Sequence, residues 1–542
     1  MGSFFVNEST APNSLDPAAP QSPAARASLF STSRQHSAFS ATVLLMISSL
    51  LSGVLGLVRT KYIAFVFGAG RATDAYNAAF NLPDMINYFL VGGVASITLV
   101  SILNRHREAG DEEGADRALS VVLVAMVAVL GTGILLAEIF APVYTRVFFP
   151  ALDVETSALC THLTRILLPA QLFFFIGGVL GSRLLVRKIF IYQAITPLIY
   201  NLLIILGGVF LAGRYGIDSL AFGVLAGAFV GSAVLNAMGA FRSGLKFVPI
   251  FNLRHPDFVE WLKLSLPLMI GVSLAMADKW ILSYFATASP GGYTLLTTAK
   301  TLFNAPLVIV GAAAGAASLP FFSSLFAQSK MYEFNAAVNR AVSRLLAVSF
   351  LMAAWMSAMA VPVVDLFRGG KFTHADATLT AHYLAIFAFS LALWSAQGIY
   401  ARAFYAARNT LVPAISGTIV TLVSIPIYAL LFHHIGVSGL AIASNFGIFA
   451  HTVSLAILLH KKRLVSIASL EWGELGRAAL AAVIAYVASA TLVKAGFVGS
   501  LHGYTADLAK IVTGTLLWAS LCAVVLQMSG SKLIQQLRRR VA

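Results

Sequence analysis

The residues with chemical potential in this chain are ionisable side chains set inside long apolar stretches. Arg59 and Lys61 end the run Ser52-Gly53-Val54-Leu55-Gly56-Leu57-Val58-Arg59-Thr60-Lys61, Asp74 follows Thr73, Asp278 and Lys279 are adjacent, and Lys300 lies a little further on. A charge at the centre of a bilayer costs about 3 kcal/mol even on insertion scales, so such residues are kept for function or are paired. The planar fork of Arg59 suits a phosphate, and a carboxylate such as Asp74 could hold it in place. The bland readings are that Lys61 and Arg59 snorkel to the surface, that Asp74 caps a helix, and that Asp278, Lys279 and Lys300 pair locally. Snorkelling accounts for Lys61; for Arg59 both readings stand.

Other chemistries lack their residues. There is no GxxxxGK[ST] phosphate loop, no HExxH and no paired CxxC, so neither ATP-driven transport on this chain nor zinc hydrolysis has support. His433 and His434 are neighbours in a short joint, and adjacent positions do not face one another on a helix. They read as solvated loop residues. Cys160 and Cys522, the only two cysteines, fall in different apolar segments and read as packing residues. Secondary transport is what remains, and no cofactor is expected beyond coupling to a cation gradient or membrane potential.

The elements that must position these residues are long apolar helices. About 20 apolar residues cross the hydrocarbon layer as a helix, and the sequence predicts fourteen such spans: 40 to 67, 75 to 103, 118 to 147, 159 to 186, 194 to 213, 218 to 241, 262 to 288, 294 to 327, 337 to 366, 378 to 407, 411 to 433, 437 to 460, 476 to 496 and 508 to 528. A composition of 58% hydrophobic and 11% charged residues leaves too little polar surface for a water-soluble fold. The expected class is an all-α polytopic membrane protein. The net charge of +15 raises nucleic acid as a partner, but most Lys and Arg cluster in the tails and even-numbered joints, including Arg105 to Arg117, Arg183 to Lys188, Arg242 to Lys263 and Lys461 to Arg463. By the positive-inside rule those joints and both termini are expected in the cytoplasm, with membrane lipids rather than nucleic acid as surroundings.

Internal symmetry divides the ladder. His162 and His382, and Gly178 and Gly398, recur at an offset of 220 residues. Each segment ends in a basic joint followed by a proline that starts the next helix, a position where proline is tolerated. The expected organisation is a disordered tail over 1–38, one six-helix lobe over 39–241, a parallel copy over 262–460, and two added spans with a basic C-terminus over 461–542. A substrate would sit between the copies. Overlapping GxxxG steps at Gly223, Gly227 and Gly231, and another at Gly311 and Gly315, mark close helix approach. Pro83, Pro306, Pro320 and Pro426 are candidates for kinks.

Three motifs carry a family resemblance. The run Gly53 to Arg59, followed by Phe67-Gly68-Ala69-Gly70-Arg71-Ala72-Thr73-Asp74-Ala75-Tyr76 and by Asn81-Leu82-Pro83-Asp84, resembles the opening signature of the MurJ (MviN) family of the MOP superfamily of flippases and exporters. Gly370-Lys371-Phe372-Thr373-His374-Ala375-Asp376-Ala377 resembles its GxFTxxDA joint, and Phe404-Tyr405-Ala406-Ala407-Arg408-Asn409-Thr410 its FYAxxDT joint. The resemblance implies two lobes around a V-shaped cavity and a flippase that moves lipid II, the lipid-linked peptidoglycan precursor, across the bacterial inner membrane by alternating access. It implies a lipid-linked anionic saccharide as partner, and other cell-wall synthesis proteins besides.

Carried over by position, Arg59 matches a cavity arginine and Asp74 the acid at the start of span 2. Gly53 and Asn87 stand where the family has further arginines, Thr301 and Asn304 replace an arginine and a glutamate of span 8, and Asn409 replaces the acid of the second joint. Lys300 stands in for part of the lost charge. The substrate-binding candidates are therefore Arg59, Asp74, Lys300, Asn87 and Asn304. The thinned arginine set keeps open a flippase for another undecaprenyl-linked saccharide. A cation-coupled drug antiporter would want deep acids, for which Glu138 is a poor candidate.

Overall fold

Lipid offers no hydrogen bonds to a backbone, so a chain this apolar must satisfy its amides internally, as helices do. The computed structural model describes residues 38–91, 94–269, 274–495 and 503–533. Residues 1–37 of the expected tail and the basic cluster Arg538 to Arg540 lie outside them. Among the described residues the regular structure is helical, apart from an isolated bridge between Gly369 and Phe372.

Each predicted span falls on helix. Span 1 is Ala38–Phe67, span 3 Glu112–Phe148, span 5 Ile191–Tyr215, span 8 Gly292–Ala327, span 11 Leu411–Ile435, span 12 Val437–Lys461, span 13 Trp472–Lys494 and span 14 Tyr504–Met528. The others are broken. Span 2 runs as Arg71–Ala79, Asn81–Ile86, a π turn Asn87–Val91 and Val94–Glu108; span 7 as Pro256–Met269 and Leu274–Ala286. Span 4 is Val154–Leu167 with Ala170–Val186, span 10 His374–Ala388 with Leu391–Ala406, and span 9 Met331–Ala358 with Ala360–Asp365. Span 6 holds a π segment, Ala228–Val234, between Asp218–Gly227 and Leu235–Arg242.

Among the described residues, ten helices are long and apolar enough to cross a membrane unaided, and span 10, bent by 42° at its break, makes an eleventh. Spans 2 and 7 are interrupted and carry Asp74, Asp84, Asp278 and Lys279, whereas Lys300 lies on the continuous helix of span 8. Of the prolines, Pro306, Pro320 and Pro426 sit inside continuous helices, whereas Pro83 follows the break at Phe80.

The backbone repeats as the sequence does. The residues with left-handed φ at the ends of helices come in pairs 219 or 220 residues apart: Gly110 with Ser329, Lys188 with Arg408, Gly216 with Gly436, and Gly244 with Arg463. Four of these eight positions, Lys188, Ser329, Arg408 and Arg463, are non-glycine residues in a conformation that costs an L-residue energy, so the turn geometry outlasts the residue type. The two joint motifs are helix starts. Thr373 and Asp376 form a reciprocal capping box, and the Asn409 side chain accepts from the Val412 amide at 3.1 Å, opening span 11.

Among the described residues, the three largest apolar cores organise the molecule. One joins both halves at the face bearing the odd-numbered joints, here the far face: Ala75, Tyr76, Phe149 and Leu220 pack in one cluster with Ala286, Tyr293, Phe372 and Leu440. At the opposite, basic face the halves have separate cores, Leu99, Leu119, Val179 and Trp261 in one and Phe322, Phe334, Phe404 and Leu455 in the other. Span 7 passes between them: Pro256–Met269 packs on spans 2 and 3, and Leu274–Ala286 on spans 11 and 12. Arg105 fixes its basic-face end by bonds of 2.6 and 2.8 Å to Glu260. Spans 13 and 14 pack on span 9 and on each other.

The span 6 glycines are close-approach points. A Cβ on Gly223 would lie 2.7 Å from the Ile204 Cα, and one on Gly231 3.2 Å from the Thr196 carbonyl oxygen. A Cβ on Gly53 would meet nothing within 4 Å. Gly223→Val is therefore expected to destabilise the protein by about 1–3 kcal/mol or more, because the clash is with backbone, whereas Gly53→Ala leaves stability unchanged or slightly raised. Thermal unfolding in detergent measures both; equal midpoints would refute the close-packing role of Gly223.

Candidate functional site

The site grows out of the first turns of span 2. Gly68 ends span 1 with φ +72°, and a Cβ there would lie 2.7 Å from the Lys371 carbonyl oxygen. Gly70 then starts span 2, its N–H donating to the Thr73 hydroxyl at 2.9 Å, which donates back to the Gly70 carbonyl. Because Thr73 serves the local cap, Asp74 is free to reach outward. Its carboxylate accepts from the Gly291 amide at 2.6 Å, the Thr294 amide at 2.8 Å and the Thr294 hydroxyl at 2.7 Å. These are the orphan donors at the start of span 8, which has no capping side chain of its own. Asp74 caps that helix from across the interface.

Below Asp74 the same face of span 2 continues the contact. Asn77 donates to the Thr294 hydroxyl at 3.2 Å, Asn81 to the Ser283 hydroxyl at 2.6 Å, Asp84 pairs with Lys279, and Tyr88 meets Trp280 edge-on at 6.4 Å between centroids. Positions 74, 77, 81, 84 and 88 follow the alternating three-and-four spacing of one helix face. Every partner lies in the second half of the chain. Span 2 and spans 7 and 8 thus meet along a polar seam.

A second ion pair lies beside the seam. Lys300 bonds to Asp278, whose other oxygen accepts from the Tyr428 hydroxyl, and the ammonium sits 5.4 Å from the centre of the Phe387 ring. The Asp278 carboxylate is almost wholly buried at 3% exposure, while the Lys300 side chain keeps 24%. Adjacent on span 7, Asp278 and Lys279 point to different partners, one to spans 8 and 11 and the other to span 2.

Arg59 stands apart. It is half-buried and, among the described residues, makes no ion pair or hydrogen bond. The Tyr200 hydroxyl lies within electrostatic reach of Arg59, Asp84 and Lys279 together, and Tyr76 also feels Arg59.

The structure corrects the expected role of Asp74, which neither pairs with Arg59 nor caps its own helix: both oxygens are spent on span 8. It supports local pairing for Lys300, through Asp278. Asn87 opens the π turn of span 2 and is half-buried; Asn304 is exposed, one turn beyond Lys300 on the same side of span 8. Lys61 is exposed at the far face with its ammonium 5.0 Å from the centre of the Tyr504 ring. His433 and His434 are exposed, and the described residues hold no group of three or more His, Cys, Asp or Glu fit for a metal. Both cysteines are free and buried. Asn77, Asn81, Asp84, Ser283, Thr294 and Tyr428 were not expected in the site. The seam spacing in span 2 was the available signal.

Around the seam, the joint between spans 9 and 10 seals the far face. The Lys371 amide donates to the Phe65 carbonyl at 2.8 Å, and the Tyr504 hydroxyl donates to the Arg368 carbonyl. Gly370, at φ +55°, lies so close that a Cβ would fall 2.1 Å from the Phe65 oxygen.

Comparison with known proteins gives one answer. A family model described as lipid II flippase MurJ matches residues 63–527. A lipid II flippase MurJ of Burkholderia cenocepacia is 29% identical over 439 residues, covering 76% of this chain and 82% of the relative. A probable lipid II flippase MurJ of Borreliella burgdorferi is 24% identical over 432 residues, covering 78% and 83%. A solved structure of lipid II flippase MurJ in an inward closed conformation superposes with a TM-score of 0.74 at 22% identity, covering 90% of this chain and 99% of that one. An inward-facing multidrug resistance MATE family transporter of the MOP superfamily gives 0.64 at 17% identity, covering 78% and 98%. These structural likenesses establish the fold.

Asp74→Ala would leave the Gly291 and Thr294 amides without their acceptor, at about 1–3 kcal/mol for each unsatisfied donor. It is expected to lower the unfolding midpoint and to speed labelling of a Ser289→Cys thiol by an impermeant reagent. Asp74→Asn, which keeps one accepting oxygen, falls between. Unchanged labelling in Asp74→Ala would show that the seam closes without this cap.

Proposed function

The chain belongs to the lipid II flippase MurJ family, and we propose that it moves lipid II by alternating access, its two six-helix bundles working as lobes that open in turn to the two faces of the bacterial inner membrane. It is a transporter rather than an enzyme. The observation that carries this reading is the arrangement of the cores: the lobes share one core at the far face and hold separate cores at the basic face, which favours a cavity opening between them toward the basic side. The positive-inside rule makes that side, with both termini, cytoplasmic. Lipid II, made in the cytoplasmic leaflet, enters there, and the polar seam is the barrier that must part to release it outward.

The head group carries a diphosphate, and its charge has to cross a low-dielectric region. Arg59 is assigned as the residue that receives it, because among the described residues this cation has no carboxylate partner, and its fork matches two phosphate oxygens. Lys300, Asn87 and Asn304 line the same path as a weaker, partly neutral set. Asp74 contributes by closing the far face. Net movement draws on a cation gradient or the membrane potential, with no cofactor, and other cell-wall synthesis proteins receive the product.

One observation favours a second reading. Lys279 and Lys300 are both engaged by carboxylates, and Asn87, Thr301 and Asn304 are uncharged, so the free cationic set is thin enough to suit a different undecaprenyl-linked saccharide. Complementation of a strain depleted of its lipid II flippase separates the two, growth supporting lipid II.

In that assay Arg59→Ala is expected to abolish function with the protein still in the membrane, and Arg59→Lys to restore it in part; normal growth with Arg59→Ala would remove the assigned role. In a chain with Cys160 and Cys522 replaced by alanine, Ala375→Cys should label from outside intact cells and Thr410→Cys only after the membrane is opened. Labelling of both from the same side would overturn the orientation.

A further inference from the structure

We propose that Asp84 and Asp278 act as internal stand-ins for the substrate's diphosphate, occupying the ammoniums of Lys279 and Lys300 until a doubly charged head group displaces them and thereby unlocks the far-face seam. The proposal rests on the lobe reading above and adds the trigger and the head-group selectivity of the switch.

The geometry of span 7 carries it. Asp278 and Lys279 are consecutive, about 100° apart around the helix, so one short segment takes part in both ion pairs at once. Lys279 is tied to Asp84 of span 2, the only charge pair along the seam among the described residues, and that pair joins the two halves of the chain. Lys300 is tied to Asp278 within the second half. Transfer of either lysine to an incoming anion changes what span 7 is bonded to.

The pairs are built for exchange. An ammonium is a compact charge on a flexible stem and changes partner without the loss of a bidentate geometry. Lys279 keeps 35% of its side chain exposed and Lys300 24%, whereas Asp278 is held at 3% exposure by Tyr428. The buried carboxylate stays in place when Lys300 leaves. An unpaired buried charge is costly, so Asp278 recaptures the lysine once the head group has gone. This resets the site.

The same competition sets selectivity. A head group must outbid a carboxylate at each lysine while also meeting Arg59, which lies within electrostatic reach of the same Tyr200 as the Asp84–Lys279 pair. A diphosphate brings enough charge and enough acceptor oxygens for three cations. A lipid monophosphate or a neutral lipid-linked sugar leaves at least one native pair closed, and the seam with it.

The test uses the full chain in lipid nanodiscs, with Cys160 and Cys522 replaced by alanine and Thr287→Cys as reporter. Thr287 is buried one turn beyond Ser283 on span 7. Undecaprenyl diphosphate is expected to speed labelling of that thiol by about tenfold or more, and undecaprenyl monophosphate to leave it unchanged. Asp84→Asn should label rapidly without lipid and bind the diphosphate at least as tightly as the parent. Lys279→Gln should bind it about tenfold more weakly, and Lys279→Arg should restore binding, which guards against a folding defect. A pair that is merely structural predicts equal effects of Asp84→Asn and Lys279→Gln on binding. That equality, or labelling that ignores the diphosphate, overturns the exchange. Should Arg59→Ala still abolish transport in that case, the flippase reading stands and the ion-pair exchange alone is lost.

Discussion

One carboxylate holds two helix ends together. Span 2 and span 8 are counterparts in the repeat, and their N-termini meet at the far face, with a Cβ on Gly291 only 2.9 Å from the Ala69 carbonyl oxygen. Two helix N-termini brought together present like partial charges of about half an elementary charge each. Asp74 lies in the first turn of span 2 and takes its hydrogen bonds from the first turn of span 8, so a single negative charge is favourable to both dipoles. An asparagine would satisfy some amides without neutralising either end. The closure of the far face, the shared core beneath it and the register of the seam all follow from that placement.

Charge neutrality explains the rest of the interior. Each buried or half-buried carboxylate along the described parts of spans 2 and 7 has a compensating group: helix amides for Asp74, Lys279 for Asp84, Lys300 and Tyr428 for Asp278, and Arg105 for Asp257 and Glu260. Leaving any of these charges unpaired would cost about 3–5 kcal/mol. Arg59 differs: it is half-buried and, among the described residues, has no such partner. A cation left over after the acids have been matched is where an external anion gains most, since it displaces no partner. The lysines are the harder targets and therefore the more selective ones.

Much of this was legible in the sequence, for physical reasons that can be named. Span positions follow from apolar length, which lipid enforces, and the repeat from residues that recur 220 positions apart, such as Gly178 and Gly398. The tight packing of span 6 was readable from Gly223, Gly227 and Gly231 because close backbone approach requires absent side chains. The partner of Asp74 was not readable. Its contact with Thr294 spans 220 residues, and a local cap at Thr73 is as good an explanation of the same letters. Lys300 was assigned to the cavity because the charge of Asp278 could be placed on a span but not on a face. The capping roles of Thr373, Asp376 and Asn409 were likewise hidden: a motif shared with a family looks the same whether it binds substrate or starts a helix.

The two halves share a backbone but not a set of charges. Left-handed turns recur at Lys188 and Arg408 and at Gly216 and Gly436, so the frame is symmetric to within a residue. Asp74, Asp84, Arg59 and Lys61 belong to the first half, Asp278, Lys279 and Lys300 to the second; Asp74 and Asp84 meet donors of the second half, while Asp278 is paired within its own. The links at the two faces differ in kind: the seam at the far face is polar, while the basic-face link runs through Arg105 and Glu260 at the end of span 7. Closing the first requires Asp74 and Lys279 to be free for protein partners. Whatever engages Lys279 from the cavity weighs against far-face closure directly, without any signal having to travel through the bundle.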